Sequence, residues 1–161
     1  MAMSGRDGDV AERTQQPRPG DARPASVEYR GEAIAVTFDR LRCIHAEECV
    51  RGLPAVFNRE QRPWIQLARG NPDDVADVVE RCPSGALQYR RLTLGPEERP
   101  EDPPRITVVP NGPLYVRGDF EYPTASGESV RSPRAALCRC GGSANKPFCD
   151  NTHLRIGFEA P

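Results

Sequence analysis

Apolar residues alternate with polar ones at Ile34, Val36 and Phe38, the period of a half-buried strand, and Gly31 marks a turn behind them. Residues 27–38 are therefore expected to form a short β-hairpin. The alternation stops by Leu41, and the chain passes through a loop into a short helix that Gly52 and Pro54 end. Glu47 and Glu48 read as a solvated face of that helix. Trp64 and Ile65 follow a proline and read as a short strand, with Trp64 in the core. From Asn71 the spacing turns helical. Pro72 stands near the first position, Asp73 and Asp74 lie at the positive end of the dipole, and Val75, Val78 and Val79 form one apolar face. Leu87, Tyr89 and Leu92 then return the chain as a strand, so the order is β-β-α-β-α-β.

A second set of short runs follows. Ile106–Val109, Leu114–Gly118 and Phe120–Tyr122 read as strands joined by turns, with Asn111-Gly112 at the first. A polar loop is expected over Pro123–Pro133, after which Ala135–Cys138 runs as a strand. Ile156–Phe158 is expected to pair with this small sheet or pack on it.

Composition changes the picture by dividing the chain. Prolines number 17 in 161 residues, many of them in the polar stretch 1–26 and in the acidic stretch 95–104. The first reads as a disordered tail, without the apolar core of a secretory signal; the second reads as a linker. Two units remain, 27–94 and 105–161, and domains shorter than about 70–80 residues usually need a staple. The fold class expected is α+β, two small cluster-stapled units, the second rich in β structure. A net charge of −1 without a basic stripe gives no reason to expect nucleic acid as a partner, and no apolar run suggests a membrane.

Six cysteines are the candidate staples, and they fall three to each unit. An odd number per unit, with no export signal, argues for metal ligation in a reducing cytoplasm rather than for disulfides. In the first unit Cys43 and Cys49 flank His45 and Ala46, and Cys82 precedes Pro83. Laid on the cluster loop of bacterial ferredoxins, C-x2-C-x2-C-x3-C-P, the first and third ligands are kept. Alanine replaces the second, Leu53 the fourth, and Cys82-Pro83 supplies a remote closing ligand. Residues 27–94 thus resemble single-cluster bacterial ferredoxins, including the divergent mono-cluster domains. The resemblance implies a cluster on Cys43, Cys49 and Cys82, either [3Fe-4S] or a [4Fe-4S] whose fourth iron takes His45, water or another group. Buried free cysteines and a zinc site are the alternatives.

The second unit holds three cysteines and a histidine within sixteen residues, Cys138 to His153, spaced by the glycines, serine and proline of a tight loop. A Cys3His set suits zinc or an iron–sulfur cluster. Cys149 and His153 stand at i and i+4, expected on one helical turn that Asp150 caps. The full spacing, C-x-C-x2-S-x3-P-x-C-D-x2-H, resembles the CDGSH iron–sulfur domain of the mitoNEET-like proteins, with Asn151-Thr152 in place of Gly-Ser. That resemblance implies a [2Fe-2S] cluster with Cys138 and Cys140 on one iron and Cys149 and His153 on the other. A neutral imidazole in place of a thiolate raises the reduction potential and links it to protonation. Arg139 and Lys146 are candidates for bonds around the ligands.

With two histidines, each beside a cysteine, no catalytic residues are expected and the protein does not read as an enzyme. The leading expectation is one-electron transfer between two clusters and outside redox partner proteins. The alternative is a labile-cluster donor to apo-protein acceptors, or an iron or redox sensor; a structural zinc protein is the third. A homodimer, as in the mitochondrial relatives, is an open arrangement, and no anchoring helix is expected.

Overall fold

The computed structural model describes residues 25–123 and 127–161. Residues 1–24 of the expected tail lie outside the described residues, and Ser26 already belongs to a strand. In chain order the elements are β1 (Ser26–Arg30), β2 (Ile34–Asp39), α1 (Glu48–Gly52), a 3-10 turn (Leu67–Arg69), α2 (Pro72–Glu80), β3 (Leu87–Arg91), β4 (Arg105–Val108), β5 (Leu114–Pro123), β6 (Ser129–Leu137) and α3 (Thr152–Arg155). They form two three-stranded antiparallel sheets, β1-β2-β3 and β4-β5-β6. Among the described residues no helix is long and apolar enough to cross a membrane.

The first sheet follows the alternation in the sequence. Ile34 and Val36 of β2 and Leu87 of β3 turn inward against Val75, Val78 and Val79 of α2, together with Val56, Phe57 and Ile65. The start of α2 is also as expected: Pro72 opens it, and the Asn71 side chain accepts from Asp73 N at 2.8 Å. Trp64 packs edge-on to Phe38 at 4.9 Å between centroids and to Tyr29 at 6.4 Å. The strand expected at Trp64–Ile65 is absent. Only an isolated bridge joins Phe57 to Ile65, because Pro63 offers no donor and the chain enters the 3-10 turn at Leu67.

The second sheet departs from expectation in two places. Leu114–Gly118 and Phe120–Tyr122 are one strand, β5, with a shift of register between Arg117 and Phe120 where Gly118 adopts φ 139. The second half of the expected Pro123–Pro133 loop is the start of β6. Its polar residues give no strand signal, yet Ser132 in it and Arg134 just beyond it are buried against the first unit, while Ser129 and Arg131 face water. Pro133 is tolerated there because β6 is an edge of its own sheet. The chain end does not join the sheet. Ala160 instead exchanges bonds with Asn111 at the β4–β5 turn, N to O at 2.8 Å and N to Oδ1 at 2.9 Å.

The two units share a polar seam. Arg134, 1% exposed, donates to the carbonyls of Val79 (2.7 Å), Cys82 (2.6 Å) and Leu87 (3.0 Å), and pairs with Glu98 at 2.6 Å. Arg117 donates to Glu80 O at 3.1 Å, so two cations serve the carbonyls at the negative end of α2. Backbones approach closely at Gly85, φ 65, where a Cβ would stand 2.4 Å from the Arg134 carbonyl oxygen. Stretch 95–104 is more than a tether, since Glu97 accepts from Arg91 N and Glu98 holds Arg134.

Candidate metal centre

Three elements of the first unit bring its cysteines together. Cys43 lies in the loop after β2, Cys49 in α1, and Cys82 just beyond α2; Cys49 and Cys82 both pack on the core. Burial, with a smaller contribution from the Cys82 thiolate, pushes the Cys43 and Cys49 thiols up to about 11. His45, exposed and at φ 54, holds Nδ1 4.0 Å from Cys43 Sγ. Ala46, where a ferredoxin would have its second ligand, packs against Ile44, Ala136 and Cys149. Glu47 and Glu48 pair with Arg59 and Arg51 at the surface, a solvated face as expected.

The second set is built on the end of β6. The loop folds back on the strand, with Cys138 N donating to Pro147 O at 2.9 Å and Cys149 N to Ala136 O at 2.8 Å. Ser143 Oγ donates to Phe148 O at 2.7 Å and accepts from Asn145 N at 3.0 Å. Asp150 holds both ends of the loop, accepting from Ala144 N (2.9 Å) and Thr152 N (3.0 Å). Burial works to raise the Asp150 pKa, but these bonds and Arg155 bring it below the ordinary carboxylate value.

The donors fall into two pairs. Cys138 Sγ and Cys140 Sγ are 3.9 Å apart, and Cys149 Sγ and His153 Nδ1 are 3.4 Å apart. Two sulfurs at ~2.3 Å from one tetrahedral metal would be separated by ~3.8 Å, and a sulfur and an imidazole nitrogen by somewhat less. Each pair therefore has the span of one metal ion. Among the described residues no group of three or more His, Cys, Asp or Glu converges as the ligands of a single ion. N–H groups of Gly142 and Asn151 point at Cys140 Sγ and Cys149 Sγ, both at 3.4 Å, and the Asn151 bond favours the Cys149 thiolate. Burial raises the Cys149 thiol and lowers the His153 imidazole, the latter partly opposed by Asp150.

Cys149 and His153 do not share a helical turn as expected. α3 begins at Thr152, and Asn151 before it takes φ 64, a left-handed conformation that glycine adopts freely and asparagine tolerates. Arg139 does not face the ligands. It donates to the carbonyls of Val109, Gly112, Ala160 and Pro161 and tethers the chain end. Lys146 donates to Ser143 O at 3.1 Å within the ligand loop.

The two ligand loops touch. Asn145 Nδ2 donates to Leu41 O at 2.7 Å and Asn151 Nδ2 to Ile44 O at 2.9 Å. Ile44, Ala136 and Cys149 form one apolar cluster, with Ala46 and Tyr115 at its edge. Burial raises the Tyr115 hydroxyl pKa, and thiolates of both sets, Cys149 and Cys82, raise it further. Sequence reasoning missed Arg42, Glu98, Arg134, Asn145 and Asn151 as seam residues. Only the asparagine that replaces glycine at 151 left a signal.

Comparison with known proteins divides the chain at the same place. A family model described as "Divergent 4Fe-4S mono-cluster" matches residues 29–92, and one described as "Iron-binding zinc finger CDGSH type" matches residues 111–154. The chain is also similar to the uncharacterized protein YjdI of Escherichia coli strain K12 and of Escherichia coli O157:H7. Each is 44% identical over 62 residues, which cover 38% of this chain and 82% of the relative.

Proposed function

Because the chain belongs to the divergent 4Fe-4S mono-cluster family through residues 29–92 and to the CDGSH-type iron-binding family through residues 111–154, and is thus an iron–sulfur protein, we propose that it relays single electrons between two clusters. Cys138 and Cys140 hold one iron of a [2Fe-2S] cluster, and Cys149 and His153 hold the other. Cys43, Cys49 and Cys82 hold a second cluster, [3Fe-4S] or a [4Fe-4S] with His45 as candidate ligand to the fourth iron. Bound there, such clusters supply one-electron carriage with no group transferred. The partners are one-electron donor and acceptor proteins of the reducing cytoplasm, and the chain catalyses no reaction of its own.

The observation that carries this reading is the contact of the two ligand loops, Asn151 on Ile44 and Ile44 on Cys149. A pair of independent structural staples would have no need to abut. Donation of the [2Fe-2S] cluster to apo-proteins is the second reading, favoured by His153, whose protonation removes a ligand. Anaerobic purification with iron and sulfide analysis, and EPR before and after dithionite, tests both. Two clusters reduced and reoxidised without loss of iron support the relay. Transfer of iron and sulfide to an apo-ferredoxin supports donation, and zinc without sulfide overturns both.

A further inference from the structure

Arg42 is the residue that the sites described above leave unexplained. It is 5% exposed and lies in the seam, one position before Cys43. Its Nη2 donates to Ser132 Oγ at 3.1 Å and to Arg134 O at 2.7 Å. Its guanidinium stands 4.7 Å from the ring centroid of Phe148, the residue before Cys149, and 5.7 Å from that of Tyr122. Its Nε has no hydrogen-bond partner. Among the described residues no carboxylate pairs with it, whereas Arg134 beside it has Glu98. Asp39, the nearest acid in sequence, is engaged with Leu41 N.

A buried cation with no carboxylate in direct contact is costly. Burial lowers the Arg42 pKa; Tyr122 and then Asp39 oppose this, and the Cys82 thiolate adds to them, so negative charge on the first ligand set is felt in the seam. Both centres carry net negative charge once thiolates and sulfides are counted, and Arg42 is wedged between the loops that hold them.

Resting on the two-cluster reading, we infer that Arg42 is a shared counter-charge for both clusters and sets their reduction potentials together. One-electron reduction of either centre adds one negative charge and requires no proton. A fixed cation between them favours the reduced state of each.

The test is an EPR-monitored potentiometric titration of the full chain with both clusters loaded, comparing wild type with Arg42→Lys, Arg42→Gln and Arg42→Met. Both midpoint potentials shift negative in Arg42→Gln and Arg42→Met, while Arg42→Lys keeps most of the wild-type values. Unchanged potentials in Arg42→Gln, a shift of one centre only, or an equal shift in Arg42→Lys overturns the inference. Arg42→Met orphans no acceptor, because Ser132 Oγ already donates to Arg134 O at 2.7 Å. Its apo form should therefore melt no lower than wild type, which a purely structural clamp would not allow. Should Arg42→Met fail to fold, the clamp role is indicated and the counter-charge at Arg42 is overturned unless Arg42→Gln folds and shows the double shift. Absence of iron and sulfide from wild type would sink the two-cluster reading itself. Loaded clusters indifferent to Arg42→Gln would sink this inference alone.

Discussion

Arg134 donates from Nη1 to the carbonyl oxygen of Cys82 at 2.6 Å, so a candidate ligand of the first set is held from the strand that leads into the second. The two units are thereby one structure. Its core is apolar on the first side and hydrogen-bonded at the join.

Removing that bond tests the join. Arg134→Met leaves the Val79, Cys82 and Leu87 carbonyls and Glu98 without their buried cation. Breaking a buried pair from one side costs about 3–5 kcal/mol. A large fall in the denaturation midpoint is expected, with iron lost first from the site of Cys43, Cys49 and Cys82. An unaltered midpoint would show that the units stand independently.

Asn151 serves two purposes that substitution separates. Asn151→Gly keeps the left-handed turn and loses only the bond to Ile44 O, a loss of about 1 kcal/mol. Asn151→Ala forces a β-carbon into φ 64 as well and should cost more. Thermal melts of the two variants in the order Gly then Ala below wild type are expected; an Asn151→Gly variant melting with wild type would remove the seam role.

As the proposed imidazole ligand, His153 is expected to make the second centre acid-sensitive. Buried at 8% exposure, with its pKa below the ordinary imidazole value, it is neutral and able to ligate at neutral pH. His153→Cys should lower the midpoint potential and slow bleaching of the visible absorbance at mildly acid pH. Potential and bleaching rate both matching wild type would exclude it as a ligand.

The apo protein has its own pH dependence. Cys43 and Cys49 have thiol values of about 11 against an unfolded 9.0, so the folded state holds its protons longer. Stability on their account is complete below about pH 9 and declines as pH rises through about 11. Urea midpoints of apo protein should fall across that window. In the loaded protein the thiolates are already bound and the decline should be absent. A flat apo profile would show the thiols to be solvated.

Much of the site was legible because ligand chemistry is local. Cys138 to His153 lie close along the chain, and the pairing of Cys138 with Cys140 and of Cys149 with His153 is what the resemblance to the CDGSH domain implies. The β2 alternation and the Asn71–Pro72 helix start were legible for the same reason. Each is decided by neighbours a few residues away.

By itself, then, the sequence pointed to two units, to candidate ligands in each and, through its family resemblances, to iron–sulfur chemistry. Tertiary structure alone decided that the units share a seam and that the ligand loops meet. The physical reason lies in Arg134 and in Arg42. Polar residues there read as surface, because nothing local reveals that backbone carbonyls across the fold will accept their hydrogen bonds. Burial of a charge is set by partners 36 to 92 positions away, and no local pattern records them.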